Sequence, residues 1–440
     1  MYYLSGLKFR LSMKKIGLVL SLVVIATLVS PAQHHIKQKN NNGIEYLIGE
    51  LSDSTANPYE VLLENTPVDH EYEAPQFAIV DKSNRFYMSL GAKVKAVGVY
   101  DWGNPGPSAV DFKPSEFEKA LPGKESDLRF SVQSSSVNFN IVGMPTNKYR
   151  VGIFIASTFD GADTDYKVKC DYAYIKCRGF TFGYQSNLYD DMAADAYLID
   201  GNGPGASGSD TDLSISFQRY FTPHFKAGIS LSAPDMSMTA RNEEGFYDIN
   251  QRVPDIPFFV QWDWTEDSHI RLSGVYRTLQ YRDFVANRNR SLPGYGLKLT
   301  SAVEMGPVMG YAMVQAGKGI ANYMKDNADF SLDLVPSAIA GRYTQTKGWG
   351  GLCAVECDYN PRMFSTFMYG YLRNYVDAYD GGVIERGQHM KYEHYVAANF
   401  IWKISKFVNV GLEYNFGKKK DYAGSSLSNN RVTAMMRVGF

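Results

Sequence analysis

Apolar and polar residues alternate with a period of two along most of the chain after residue 85. In residues 88–100, Met88, Leu90 and Val94 fall on one face, whereas Lys93 falls on the other. The same alternation recurs in residues 225–233, 258–264, 297–304 and 408–416. This period predicts β-strands that have one apolar face and one hydrated face.

The pattern predicts sixteen strands. They span residues 85–102, 126–143, 149–160, 167–178, 180–188, 211–221, 224–235, 255–265, 268–283, 292–305, 308–324, 348–359, 362–375, 389–404, 407–420 and 429–440. Connections of 6 to 23 residues follow the odd-numbered strands, and connections of 1 to 5 residues follow the even-numbered strands. This arrangement is typical of an all-β transmembrane antiparallel β-barrel with short periplasmic turns and long extracellular loops.

One predicted strand changes parity in its middle, near residues 134–136. Leu128 and Phe130 occupy even apolar positions, whereas Val137 and Phe139 occupy odd ones. A β-bulge there would keep all four side chains on the same face of the sheet.

The N-terminus has the layout of a secretory signal peptide, which we place at residues 1–32. Met13-Lys14-Lys15 is basic, residues 16–28 are almost wholly apolar, and Ser30-Pro31-Ala32 supplies small residues for cleavage. Translation could begin at Met1 or at Met13. The apolar run of about 13 residues is short of the ~20 that a membrane-spanning helix needs.

Residues 33–84 are acidic and lack strict alternation. We expect them to form an N-terminal extension in the periplasm or in the barrel lumen, ahead of a barrel spanning residues 85–440. Two alternatives stay open for this extension: a flexible tether, or a plug that fills the lumen.

Composition narrows the class of protein. The chain of 440 residues has 45 Lys and Arg against 46 Asp and Glu, so it lacks the basic excess of a nucleic-acid binder. No Pro/Ser-rich linker divides residues 85–440, as a soluble double β-sandwich would require. The sequence has no GxSxG or HExxH motif, and we predict no catalytic residue, metal site or cofactor.

The last strand alternates up to an aromatic C-terminus, Phe440. Val432, Ala434, Met436 and Val438 share its face. This ending resembles the C-terminal signal that the barrel assembly machinery reads in the bacterial outer membrane.

Several segments along the chain carry a family resemblance: residues 77–101, 128–134, 152–155, 159–161, 171–174, 179–186 and the pair Asp190-Asp191. Together they resemble the DcaP-like family of trimeric outer-membrane porins. The resemblance implies a 16-stranded homotrimer in the outer membrane that passes small, often anionic, solutes by diffusion.

If the apolar face contacts lipid, the opposite face lines water and its charges set selectivity. The cationic pore-lining candidates are Lys93, Lys95, Arg129, Lys169, Lys226, Arg271, Arg277, Lys298, Arg431 and Arg437. The acidic ones are Asp171, Asp263, Glu304, Glu356, Asp358 and Glu413. Ten cations against six acids favour a mildly anion-preferring pore, and the alternative is that the charges cancel across neighbouring strands.

The connection at residues 189–210 is the third long loop. It holds Asp190, Asp191, Asp195 and Asp200, followed by several glycines. We expect this loop to fold inward and narrow the channel, so that its acids face the cationic wall. The alternative is a solvated surface loop rich in turn-forming residues.

These patterns together predict a porin for passive diffusion of small hydrophilic, mildly anion-preferred solutes, in contact with outer-membrane lipid. A substrate-specific channel plugged by the N-terminal extension is the first alternative. A non-transport barrel, either a hydrolase or an adhesin, is the second.

Overall fold

The computed structural model describes residues 46–48, 57–70, 72, 77–83, 85–145, 147, 149–160, 166–208, 211–239, 249–328, 330–376 and 389–440. The predicted signal peptide lies outside these residues. No helix in this part of the chain is both long and apolar enough to cross a membrane.

Sixteen antiparallel strands form one closed wall. They are β1 (Phe86–Gly103), β2 (Ser126–Ser131 and Ser136–Gly143), β3 (Val151–Asp160), β4 (Lys167–Cys177), β5 (Phe180–Ser186), β6 (Thr211–Thr222), β7 (Phe225–Ser232), β8 (Ile256–Asp263), β9 (His269–Asp283), β10 (Arg288–Met305), β11 (Val308–Lys318), β12 (Lys347–Asn360), β13 (Met363–Tyr375), β14 (Met390–Lys403), β15 (Val408–Asp421) and β16 (Ser426–Gly439). β16 pairs with β1, for example Ala434 with Gly98, which closes the barrel. The predicted fold class and strand count are confirmed.

The two faces of the wall differ as the alternation predicts. In β16, Met436 and Val438 are 52 % and 42 % exposed on the outer face, whereas Arg437 between them is 5 % exposed. The same contrast separates Val94 from Lys95 in β1. An outer surface covered with exposed large apolar side chains requires lipid as its solvent.

The short turns have the backbone geometry that tight hairpins need. Arg178 and Gly179 join β4 to β5 with φ of 53° and 84°, and two positive φ values match the twist of the flanking strands. Gly306, with φ of 68°, precedes Pro307 in the turn between β10 and β11. Such two-residue turns fix the register of their strands.

The parity change inside β2 is confirmed as a break between its two segments. Residues 132–135 leave the ladder, and β1 pairs with the segment on either side of them. The backbone N–H of Lys95 donates to the Ser135 hydroxyl, 3.1 Å away, instead of to a ladder carbonyl. Phe130 and Phe139 therefore both face outward, 71 % and 47 % exposed.

Two predicted strand bounds are wrong by several residues. β11 ends at Lys318 and not at residue 324, because Gly319, with φ of 66°, turns the chain inward. β10 begins at Arg288 and not at residue 292, because Asn287 adopts φ of 49° in a tight turn.

The loops at the opposite rim from the short turns carry further short elements. Three of them, L1 (residues 104–125), L3 (187–210) and L6 (319–346), contain short helices: Pro114–Glu116, Met192–Ala194, Ala321–Tyr323 and Lys325–Ala328. L6 also contains a hairpin of Leu334–Pro336 and Tyr343–Gln345.

The described parts of the N-terminal extension lie against the wall at the short-turn end. Helix α1 (Pro58–Leu63) is followed by Phe77–Val80, which pairs with β1, and Tyr46–Ile48 pairs with Phe77–Val80 in parallel. Leu62 is fully buried in a cluster with Tyr87 and Val142. We call residues 57–70 together with Tyr72 the N-terminal strap.

Candidate functional site

The inner face of the barrel carries many charged and polar side chains, which lie among buried apolar ones. Seven of the ten predicted cations are buried inside the barrel: Lys93, Lys95, Arg271, Arg277, Lys298, Arg431 and Arg437. Arg129 and Lys226 also face inward and are partly buried, and Lys169 lies exposed at the long-loop rim. Buried charges need partners, so their surroundings decide what each can do.

L3 folds into the lumen and contacts the inner face of β9 and β10. The Lys298 ammonium group forms an ion pair with Asp190. His269 Nε2 lies 2.9 Å from an Asp191 oxygen, and the Thr300 hydroxyl donates to the same carboxylate. The adjacent aspartates at the start of L3, Asp190 and Asp191, are therefore bound directly to the wall.

Arg271 completes this anchor. Its guanidinium lies 3.7 Å from Asp191, donates to the Leu188 carbonyl at 2.5 Å and stacks over the Phe259 ring. Burial works to raise the pKa of Asp191, but the His269 hydrogen bond and the Arg271 charge outweigh it, so this pKa lies well below its usual range. Asp191 stays ionised, and the anchor stays charged.

The second half of L3 contacts a different and acidic part of the wall. Asp200 accepts hydrogen bonds from the Tyr395 hydroxyl at 2.6 Å and the Phe112 amide at 2.8 Å. Glu413 on β15 accepts from the amides of Ile199 and Asp200 at 2.7 and 2.9 Å. Burial and the nearby Glu413 charge raise the pKa of Asp200 to about 7.

Close packing fixes the glycine-rich end of L3. A Cβ atom on Gly205 would overlap Glu393 of β14 and Asp326 of L6. The Asn202 side chain donates to Asp326 at 2.8 Å, and the Gln315 side chain donates to the Ala206 carbonyl at 2.5 Å. L3 therefore contacts both L6 and the wall strands along its described length.

Arg277 holds L6 inside the lumen. Its guanidinium binds Asp255 at 2.8 Å and Asp333 at 2.9 Å, and it lies over the Tyr323 ring. The Gly319 carbonyl accepts a further hydrogen bond at 3.1 Å. This predicted wall cation is thus fully committed to structural contacts.

Arg431 and Arg129 hold L1 in a similar way. Both bind Asp101 on β1, at 2.9 and 2.7 Å. Arg431 also donates to the Ser108 carbonyl at 2.7 Å, and Arg129 donates to the Pro107 carbonyl at 2.7 Å.

The N-terminal strap lies on the inner face of β2–β4 and reaches L3. Asn65 donates to Asn140 at 2.7 Å and packs on Gly152, where a Cβ atom would overlap it. The Tyr72 hydroxyl donates to Asp171 at 2.6 Å. His70 Nε2 lies 2.7 Å from the Asp195 carbonyl of L3.

Three further cations lie next to the strap on β1 and β16. Lys95 and Arg437 are directly opposite each other in the strand register, and Lys93 follows on the same face. Arg437 contacts the His70 carbonyl at 3.4 Å, and Lys93 lies 5.9 Å from the centre of the Tyr72 ring. Lys226 on β7 lies over the Phe259 ring.

The sequence predicted the inward cations and the four L3 acids but not their partners. Asp255, Asp333 and His269 were not singled out, and neither was any strap residue. The one sequence signal that could have placed His269 on the inner face is its two-residue spacing from Arg271.

Comparisons with known proteins agree on the fold. No family model and no curated protein sequence matches the chain. The crystal structure of the outer-membrane channel DcaP of Acinetobacter baumannii superposes with a TM-score of 0.70 at 17 % identity, covering 82 % of this chain and 99 % of that one. OmpT of Vibrio cholerae gives 0.51 at 10 % identity, covering 82 % and 100 %, and OmpF of Salmonella typhi gives 0.51 at 10 % identity, covering 82 % and 99 %.

The resemblance to DcaP-like porins is thus confirmed for the fold. A closed barrel with an exposed apolar outer face belongs in the bacterial outer membrane, and the predicted location is confirmed.

Proposed function

We propose that the chain is an outer-membrane porin through which small hydrophilic solutes diffuse passively. The observation that carries this proposal is the charged lumen into which L3 is anchored by Lys298, His269 and Arg271. Such an interior favours the passage of hydrated polar solutes over apolar ones. The fold shared with outer-membrane channels supports it.

L3 is the constriction in this proposal. Its ion pairs and its packing at Gly205 hold L3 in a fixed position across part of the lumen. A loop in a fixed position excludes large solutes by size, without any conformational change.

A mild preference for anions is the second part of the proposal. Lys95 of β1 and Arg437 of β16 are directly opposite each other in the strand register and share the inner face of the wall. We assign the preference to the positive region that these two side chains form.

The test is the reversal potential in a salt gradient across a planar bilayer. Lys95→Gln together with Arg437→Gln should lower the anion-to-cation permeability ratio, because two like charges leave the same part of the lumen. Arg282→Gln, on the outer face of β9, is the matched control and should leave the ratio unchanged. An unaltered ratio in the double variant refutes the assignment of selectivity.

The plugged channel remains a second candidate, and the strap favours it. Asn65, His70 and Tyr72 all contact inward-facing residues or L3. The strap therefore occupies lumen that a solute would otherwise use.

The assembly proposals follow from the sequence and the resemblance. We infer a homotrimer, export by a signal peptide at residues 1–32, and recognition of Phe440 by the barrel assembly machinery. Phe440 is 55 % exposed at the end of β16, which leaves it accessible to a partner. Chemical cross-linking of the purified chain should give a trimer, and deletion of Phe440 should lower the yield of assembled barrel.

A further inference from the structure

The outer face of the barrel carries an uneven distribution of cations near the long-loop rim. Lys318, Lys347, Arg373, Lys418 and Lys420 occupy outward positions on β11, β12, β13 and β15. Neighbouring residues fix these directions: Leu372 and Asn374 on either side of Arg373 are fully buried, and Lys419 between the last two contacts L1 at Ser115.

The rest of the wall lacks such a group. On β1–β10, the long-loop half has one outward cation in the described residues, Arg282, whose side chain donates to Asn287 and Asn289 of its own turn. Within the described residues of β11–β15, Glu356, Asp358, Glu393, Glu413 and Asp421 all occupy inward positions. The outward charges on these strands are therefore cationic.

A groove runs beside these cations on the lipid-facing surface. It has a volume of about 620 Å³, with Ala316 at its floor, Tyr295 and Leu297 on one side, and Trp349 and Tyr375 on the other. The Trp349 indole N–H donates to the Tyr375 hydroxyl at 3.3 Å, and Arg373 lies 4.9 Å from the Tyr375 ring. Lys318 stands at the rim end of the groove.

The apolar groove matches the acyl chains of a lipid, and the cations at the rim match its anionic headgroup. The groove sides are large apolar rings that an acyl chain can fill, and the cations lie at the height where headgroups meet the barrel. Four strand spacings separate β11 from β15, which is roughly 19 Å. One phosphate cannot contact cations across that width, whereas two phosphates on one headgroup can.

We propose that the outer surface of β11–β15 is a binding site for a doubly phosphorylated glycolipid of the outer leaflet. One acyl chain lies in the groove over Ala316. The phosphates are bound by Lys318 and Arg373 at one end and by Lys418 and Lys420 at the other. Cationic side chains beside a membrane surface attract anionic headgroups, and a guanidinium adds bidentate hydrogen bonds to phosphate.

The test uses the full mature chain, delipidated in detergent and titrated with diphosphoryl lipid A while bound lipids are counted by native mass spectrometry. The triple variant Lys318→Gln, Arg373→Gln, Lys420→Gln should bind about tenfold more weakly or worse, because three cations near the phosphates are lost. Arg219→Gln, an outward arginine near the short-turn rim, is the matched control and should bind as the parent chain does. Heat-modifiable electrophoretic mobility verifies that each variant is a folded barrel.

Three other measurements complete the test. Monophosphoryl lipid A should bind more weakly than the diphosphoryl form, and Ala316→Trp should weaken both by filling the groove. Equal binding by the parent and the triple variant overturns the proposal. So does competition by inorganic phosphate at the same concentration as lipid, which would indicate a site for free anions, or a change of oligomer mass in the triple variant, which would indicate a protein interface.

Discussion

Asp200 shows how a single side chain in L3 combines packing with charge. Its carboxyl group is held by Tyr395 and by the amides of Phe112 and Gly203, at distances of 2.6 to 3.0 Å. Burial and the nearby Glu413 raise its pKa to about 7, so its charge changes near neutral pH.

This titration predicts a pH dependence of stability. Since the folded pKa of about 7 is above the usual 3.8, the folded chain binds the proton more tightly, and stability falls as pH rises from about 4 to about 7. Asp200→Asn keeps an acceptor oxygen and removes the titration. The melting temperature of the variant in detergent should fall less between pH 5 and pH 8 than that of the parent, and parallel curves would contradict the assignment.

Residue identity and parity were enough to place the cations on the inner face, and no more than that. Arg277 was predicted to line the pore, but its partners Asp255 and Asp333 come from two different long loops. Pairing between distant loops leaves no periodic trace in a sequence. The charge that a solute meets therefore could not be predicted from the strands alone.

At the scale of elements, the break in β2 keeps the apolar face outward. Deleting Gln133 would remove one of the four residues between the two segments and shift their relative parity. The deletion should prevent formation of the heat-modifiable barrel, because it turns apolar side chains such as Phe130 toward water. Gln133→Ser, which keeps the length, should assemble normally, and an assembled deletion variant would show that the break is dispensable.

The anchoring of L3 gives a second prediction at this scale. Arg271→Glu replaces the cation beside Asp191 with a like charge and removes the hydrogen bond to Leu188. L3 should detach from β9, and the single-channel conductance should rise. Arg282→Glu on the outer face is the control; a conductance equal to the parent in both variants would mean that L3 does not limit the current.

The strands could be predicted because their period of two is visible in consecutive residues. The loops could not be predicted, because they have no such period. The end of β11 was placed too late, since Ile320 and Tyr323 continue the apolar pattern beyond the strand. Their side chains pack in the lumen, against L3 and the inner face of the wall strands, and not on the lipid-facing side. Gly319 marks the boundary only through its positive φ, which the sequence does not show.

At the scale of the whole molecule, the N-terminal strap joins the extension to the barrel. The sequence left its role open between tether and plug, because acidic residues without alternation fit both. The contacts of Asn65 with Asn140 and of His70 with L3 place it inside the lumen. These two contacts join residues 75 and 125 positions apart, so they form only when the barrel closes.

The central claim is a continuous aqueous path through a closed wall, partly occupied by L3 and the strap. Planar-bilayer recording tests it most directly, with the mature chain and a variant that lacks residues 33–72. We expect ohmic current steps from the mature chain and larger steps from the deletion variant, because the strap no longer fills lumen. The absence of current steps from both proteins would contradict the claim, provided that each is shown to be a folded barrel by its heat-modifiable mobility.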